Sequence, residues 1–156
     1  MSILLTAFRI ERKENMKQKT FPGNLDSLSP IRDYVNTEAV LAGLDKKAAY
    51  NLCLSIDEVA TNIINYGYIE AGIEGNIDVF IDNNGAQLTV ILEDRALQFD
   101  PRDNDMPTDA ELNLPLEDIA IGGLGIFLVF SSVDKFDYEY SDGKNRNIFI
   151  MNLNKE

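Results

Sequence analysis

Apolar positions recur along this chain with two different periods, and the change of period divides it into elements. Leu25, Leu28, Ile31 and Val35 keep the three- and four-residue spacing of an amphipathic helix, with Asn24 as its N-cap and Gly43 at its end. After the link Gly43-Leu44, Asp45 opens a longer helix. Its stripe of Leu52, Ile56, Val59, Ala60 and Ile63 carries it to about Tyr66, and Gly67 is expected to stop it. So short a link makes the two helices close neighbours. Alternation then replaces helical spacing. Ile77, Val79 and Ile81, the turn Asn83-Asn84-Gly85, and Leu88, Val90 and Leu92 predict a β-hairpin. Phe136, Tyr138 and Tyr140, the turn Asp142-Gly143 and a strand from Ile148 to Leu153 predict a second. At the start, Ile3, Leu5 and Phe8 suggest a first strand over residues 3–12, and Lys13 to Pro22 is polar and turn-like.

Regular patterning stops between the hairpins. From Arg95 to Ile121 the chain carries Pro101, Pro107 and Pro115 among Asp100, Asp103, Asp105 and Asp109. An aperiodic stretch of this length is uncommon in a compact domain unless it is a functional flap or disordered. A short helical turn is expected around Leu116–Ile119. Gly122-Gly123-Leu124-Gly125 then enters a mostly buried helix through Ile126, Phe127, Leu128, Val129 and Phe130. The order is strand, helix, helix, hairpin, flap, helix, hairpin, with no internal repeat and no dividing linker. It predicts one domain over residues 1–156. The expected fold is an α/β (α+β) two-layer sandwich, its helices on one face of an antiparallel or mixed sheet.

Composition removes several kinds of chemistry. The net charge of −12 argues against direct binding of nucleic acid, which needs a basic face. It leaves a nucleotide open, because charges beyond about 8 Å are largely screened at physiological salt. The absence of histidine excludes histidine acid–base catalysis, Ser-His-Asp triads and the usual zinc sites. Cys53, the only cysteine, has no partner for a disulfide and lies within the long helix, which favours a reducing compartment and a packing role. No apolar run approaches the roughly 20 residues that span a bilayer, and Met1 to Leu5 does not resemble a secretory signal. A cytoplasmic protein is expected.

Three features carry candidate chemistry. Glu58 and Asn62 lie one turn apart on the long helix, offset by about 40° around its axis, and Ser55 and Asn65 extend that polar line. A carboxylate beside a carboxamide suits a magnesium-assisted reaction, and equally describes a solvated helix face. Asp94 ends a strand, where it either accepts a hydrogen bond from an exocyclic amine or shapes a turn. Gly122, Gly123 and Gly125 precede a helix start, which either lets backbone N–H groups approach a phosphate or eases a crowded helix packing.

Taken in order, these features resemble the GHKL ATPases, and within them the small bacterial anti-sigma factors that are also serine-protein kinases. Glu58-Val59-Ala60-Thr61-Asn62 is similar to the family's N box, Asp94 through Pro101 to its first glycine box, and Ile121 through Ile126 to its second. The likeness runs from about residue 20 onward. It implies a histidine-kinase-like ATPase fold that binds ATP with Mg2+, with Glu58 as general base and Asn62 as magnesium ligand. Nucleotide contacts are implied at Asn62, Asn65, Asp94, Ala96, Gly122, Gly123, Leu124 and Gly125, under a lid of about residues 95–121. The implied partners are a sigma factor or similar regulator and a small antagonist protein phosphorylated on serine or threonine; a homodimer is also implied. A nucleotide-gated binding module without kinase activity is the alternative. Two positions depart from the pattern. Ala96 stands where the first box usually has glycine, so its methyl fits only at negative φ, and Tyr66 stands where these kinases often have histidine.

Overall fold

Five strands join into one sheet in the computed structural model, which describes residues 16–103 and 123–153. They are β1 (Lys17–Pro22), β2 (Asn76–Asn83), β3 (Gln87–Asp94), β4 (Lys135–Ser141) and β5 (Lys144–Asn152). Their order is β1-β2-β3-β5-β4, and every pairing is antiparallel. Among the described residues three α-helices accompany them: α1 (Leu28–Leu41), α2 (Lys46–Asn62) and α3 (Gly123–Ser132). Ile31 and Val35 of α1, Leu52, Ile56 and Val59 of α2, and Val129 of α3 share one core with Ile77, Val79, Leu88, Val90, Leu92, Phe149 and Met151 of the sheet. Leu52, Ile56 and Leu92 are 0% exposed, and burying each contributes about 1.5–3 kcal/mol. The opposite face of the sheet carries a smaller cluster of Phe80, Ile91 and Ile148. The fold is therefore the expected α/β two-layer sandwich, with a wholly antiparallel sheet among the described strands.

Local chemistry sets the helix ends. Asp45 caps α2 by accepting from Ala48 N at 2.8 Å. Gly43, at φ 92°, ends the α1 segment in the left-handed conformation, and Leu44 N donates back to Ala39 O at 3.1 Å. Asn24 caps a short 3-10 turn, Leu25–Ser27, ahead of α1. None of the described helices is long and apolar enough to cross a membrane.

The structure departs from the expected elements in three places. Residues 17–22 form a strand where a polar turn was expected. In this edge strand only Phe21 is buried, so β1 has no apolar alternation to reveal it; its register against β2 holds it. The closing strand begins at Lys144, ahead of the expected Ile148; its first core-facing residues, Asn145 and Asn147, are polar and so give no apolar alternation. Gly67 does not stop the long helix. The chain passes from α2 into a π-helical segment, Ile63–Ile69, with Glu70 N donating to Asn65 O and Ile73 N to Tyr68 O, each at 2.9 Å. Tyr68, 1% exposed, fastens this segment to the sheet by donating to Asn76 O at 2.6 Å and accepting from Arg95 N at 3.1 Å. The expected strand over 3–12 and the turn at 116–119 lie outside the described residues.

Candidate functional site

The widened end of α2 stands over the adjoining ends of β3 and β5, and between them lies a cavity of about 140 Å3. Val59, Asn62, Ile63, Tyr66 and Gly67 line it from the helical side; Asp94, Ala96 to Phe99, Pro101, Asn145 and Asn147 line it from the sheet and the start of the flap. Gly67 is what lets the two sides approach. A Cβ placed on it would lie 2.6 Å from the Ala96 Cβ, closer than real side chains come. Asp142 is the one non-glycine residue with positive φ among the described residues, so Ala96 meets the condition its methyl requires. That methyl is buried against Gly67, with Ala96 6% exposed.

Asp94 ends β3 on the core face, in line with Leu88, Val90 and Leu92, and is 2% exposed. One carboxylate oxygen, Oδ1, is fully engaged, accepting from Ala96 N and from Asn145 Nδ2, each at 2.9 Å. The other, Oδ2, is buried with no hydrogen-bond partner among the described residues. Burial pushes the carboxyl up to about 6, against the opposing effect of the Asn145 and Ala96 hydrogen bonds. A buried oxygen left in this state is an acceptor awaiting a donor.

Asn145 decides which oxygen remains free. Its Nδ2 also reaches Leu97 O at 3.1 Å, and its Oδ1 accepts from Phe99 N at 3.1 Å and from the Tyr138 hydroxyl. It thus positions Asp94 and anchors the first residues of the flap in one network. Farther along, Arg102 binds Asp100 through Nη2 at 2.8 Å and Asp137 through Nη1 at 3.1 Å. Asn147, 2% exposed, contributes a second buried oxygen without a partner among the described residues. The sequence reading missed both asparagines as site residues. Their signal is parity: Asn145 and Asn147 share a face with Phe149 and Met151, so both enter the core and require partners.

Glu58 lies one turn before Asn62 on α2, outside the lining of the cavity. Its carboxyl is half-buried and raised above its ordinary range, mainly by burial and then by the charge of Asp57. Such a shift makes a carboxylate a better proton acceptor near neutrality. Asp57 is itself held by Arg32 Nη2 at 2.7 Å. The first turn of α3 comes directly onto Glu58: a Cβ on Gly125 would overlap its carboxyl group. Gly123, Leu124 and Gly125 thus open a helix whose start lies beside the candidate base. Gly122 and residues 104–121 of the flap lie outside the described residues.

The polar line along α2 is shorter than expected. Ser55 is 1% exposed and donates to Asn51 O at 3.0 Å, so it faces the core. Asn65 belongs to the π-helical segment and does not line the cavity. Cys53 is buried, and burial pushes its thiol up to about 11, in keeping with packing. Among the described residues no cluster of three or more histidine, cysteine, aspartate or glutamate side chains could hold a metal ion. Asn62 supplies one neutral oxygen, so a hard divalent cation fits here only when ligand oxygens complete its shell.

Comparison with known proteins bears on the family and the fold. A family model described as the histidine kinase-like ATPase domain matches residues 21–152. The serine-protein kinase RsbW of Halalkalibacterium halodurans is 24% identical over 139 residues, covering 86% of this chain and 82% of that protein. The crystal structure of the RsbU and RsbW domains of a Mycobacterium tuberculosis protein matches with a TM-score of 0.61 at 13% identity. That match covers 90% of this chain and 33% of the longer one, and bears on the fold alone.

Proposed function

The chain belongs to the histidine kinase-like ATPase domain family, and from that premise we propose that it is an ATP-dependent serine/threonine-protein kinase of the anti-sigma regulatory type. In this reading residues 1–156 form one ATP-binding domain with a lid at about 95–121. It binds a sigma factor or similar regulator and phosphorylates a small antagonist protein. The observation that carries the reading is Asp94 Oδ2, a buried acceptor without a partner among the described residues, in a cavity that Asn62 also lines. An adenine 6-amino group is a donor suited to it.

With adenine against Asp94 and Ala96, the triphosphate runs along α2 past Asn62 toward Glu58 and the start of α3. Backbone N–H groups of Gly122, Gly123, Leu124 and Gly125 bind phosphate oxygens there, with Asn65 as a further contact from the helical side. Asn62 would hold Mg2+, which would supply charge neutralisation for the transferring phosphoryl group. Glu58 takes the proton from the acceptor hydroxyl as the hydroxyl oxygen bonds to the γ-phosphorus and the bond to ADP breaks. The half-buried setting of Glu58 and its raised carboxyl pKa support that role. Two copies of the chain act together as a homodimer in this reading.

The test is phosphoryl transfer from labelled ATP to a partner captured on the native protein. Glu58→Ala is expected to slow transfer by about 10²–10⁴-fold while ATP still binds. Undiminished transfer would remove Glu58 as the base. Tight ATP binding by the native chain, without transfer to any captured partner, would instead make it a nucleotide-gated binding module.

A further inference from the structure

The described helices contribute to the core on one face of the sheet, and none of their residues enters the cluster on the other. That second cluster is a straight row. Register sets Phe80 of β2 beside Ile91 of β3, and Ile91 beside Ile148 of β5. On an open antiparallel face, neighbouring side chains flank a residue but leave its outer end to water. Phe80, Ile91 and Ile148 are instead 3%, 2% and 2% exposed, the values of a covered surface. The next row along the strands behaves alike: Glu93, bound by Arg146 Nε at 2.7 Å, is 4% exposed. A further layer therefore covers this face, and none of the described helices supplies it.

Met16, the first described residue, packs against the cluster, so the chain reaches β1 from this face. The residues before it include Ile3, Leu4, Leu5, Phe8 and Ile10, and also carry Arg9, Arg12 and Lys13. On the face itself Asp78, Asp82, Glu93, Asp137 and Glu139 outnumber Lys135, Lys144 and Arg146, so the charges match as well. We propose that this sheet face is the docking surface of the chain's own residues 1–15, whose apolar side chains close over Phe80, Ile91 and Ile148. A segment of that length spans up to about 50 Å when extended, whereas the row from β2 to β5 crosses only about 10 Å. Left bare, the row would be an apolar patch open to other proteins. The docked segment closes that face and leaves the helical side, where the cavity lies, for partners.

Timed trypsin digestion of the full chain, read by mass spectrometry, tests this against a synthetic peptide of residues 1–16. Cleavage after Arg9, Arg12 and Lys13 is expected to be at least about 100-fold slower in the folded chain than in the peptide. Ile91→Glu, which sets a charge in the middle of the row, should speed cleavage at those sites at least about 10-fold. Arg32, inside α1, should stay uncut over the same time, which separates release of the segment from unfolding. Should Ile91→Glu fail to fold, Ile148→Ser carries the same comparison. Cleavage of the native chain as fast as the peptide, or equal rates in native and variant chains, overturns the proposal. Protection that disappears on dilution, with sedimentation showing a dimer that dissociates, gives the face to a second copy and overturns it too.

Discussion

Asp94→Asn separates the two consequences of burying a carboxylate that has one free oxygen. In the native chain burial moves this group from its ordinary 3.8 to about 6. The folded protein therefore holds the proton more tightly than the unfolded chain does. Stability falls as pH rises through the window between those values and is level above it. A displacement of about two units corresponds to a penalty of about 3 kcal/mol above pH 6, taken as an upper bound. Asparagine cannot ionise and escapes that penalty. Its amide oxygen, however, must occupy the Oδ1 position, where Ala96 N and Asn145 Nδ2 both donate, which turns its NH2 group toward the cavity. Neutral losses from that exchange do not vary with pH, so the pH dependence is the clean readout. Thermal unfolding of both proteins at pH 4 and pH 8 should show the midpoint difference shifting by about 6–12 °C in favour of the variant at the higher pH. ATP affinity, by contrast, should fall at least about 10-fold, because an amide donor now faces an amine donor and a charge-assisted bond is lost. A midpoint difference independent of pH would refute the buried charge. ATP binding as tight as native would refute Oδ2 as the amine acceptor.

Gly67→Ala is expected to destabilise the fold by about 1–3 kcal/mol in denaturant titration, since its Cβ would meet the Ala96 methyl at 2.6 Å. Adding Ala96→Gly should restore most of that loss, and independent, additive effects would show that the two residues do not form one packing unit. Gly125→Ala would gain about 1 kcal/mol from helix propensity alone. Because its methyl falls on the Glu58 carboxyl, it should instead slow phosphoryl transfer at least about 10-fold. Native transfer rates in that variant would mean that Glu58 acts from another position.

Burial forces a period on the chain, and wherever an element is half-buried that period could be read without coordinates. The helices α1 and α2 and most of both hairpins were legible for this reason, as was the chain order of Glu58, Asn62, Asp94 and the glycines before α3. Strand β1 was not, because an edge strand with a single buried residue obtains its stability from backbone pairing, which leaves no side-chain pattern. Nor was the π-helical widening after Asn62. Gly67 marks a helix stop to local rules, but here its missing side chain admits Ala96 from a distant part of the chain. Alternation along β5 could place Asn145 and Asn147 in the core, but it carries no information on their partners. Hydrogen-bond partners and close contacts depend on distances between segments far apart in the chain, whereas a local pattern records only which way each residue faces. Tertiary packing alone therefore decided that Asn145 engages one oxygen of Asp94 and leaves the other without a partner among the described residues.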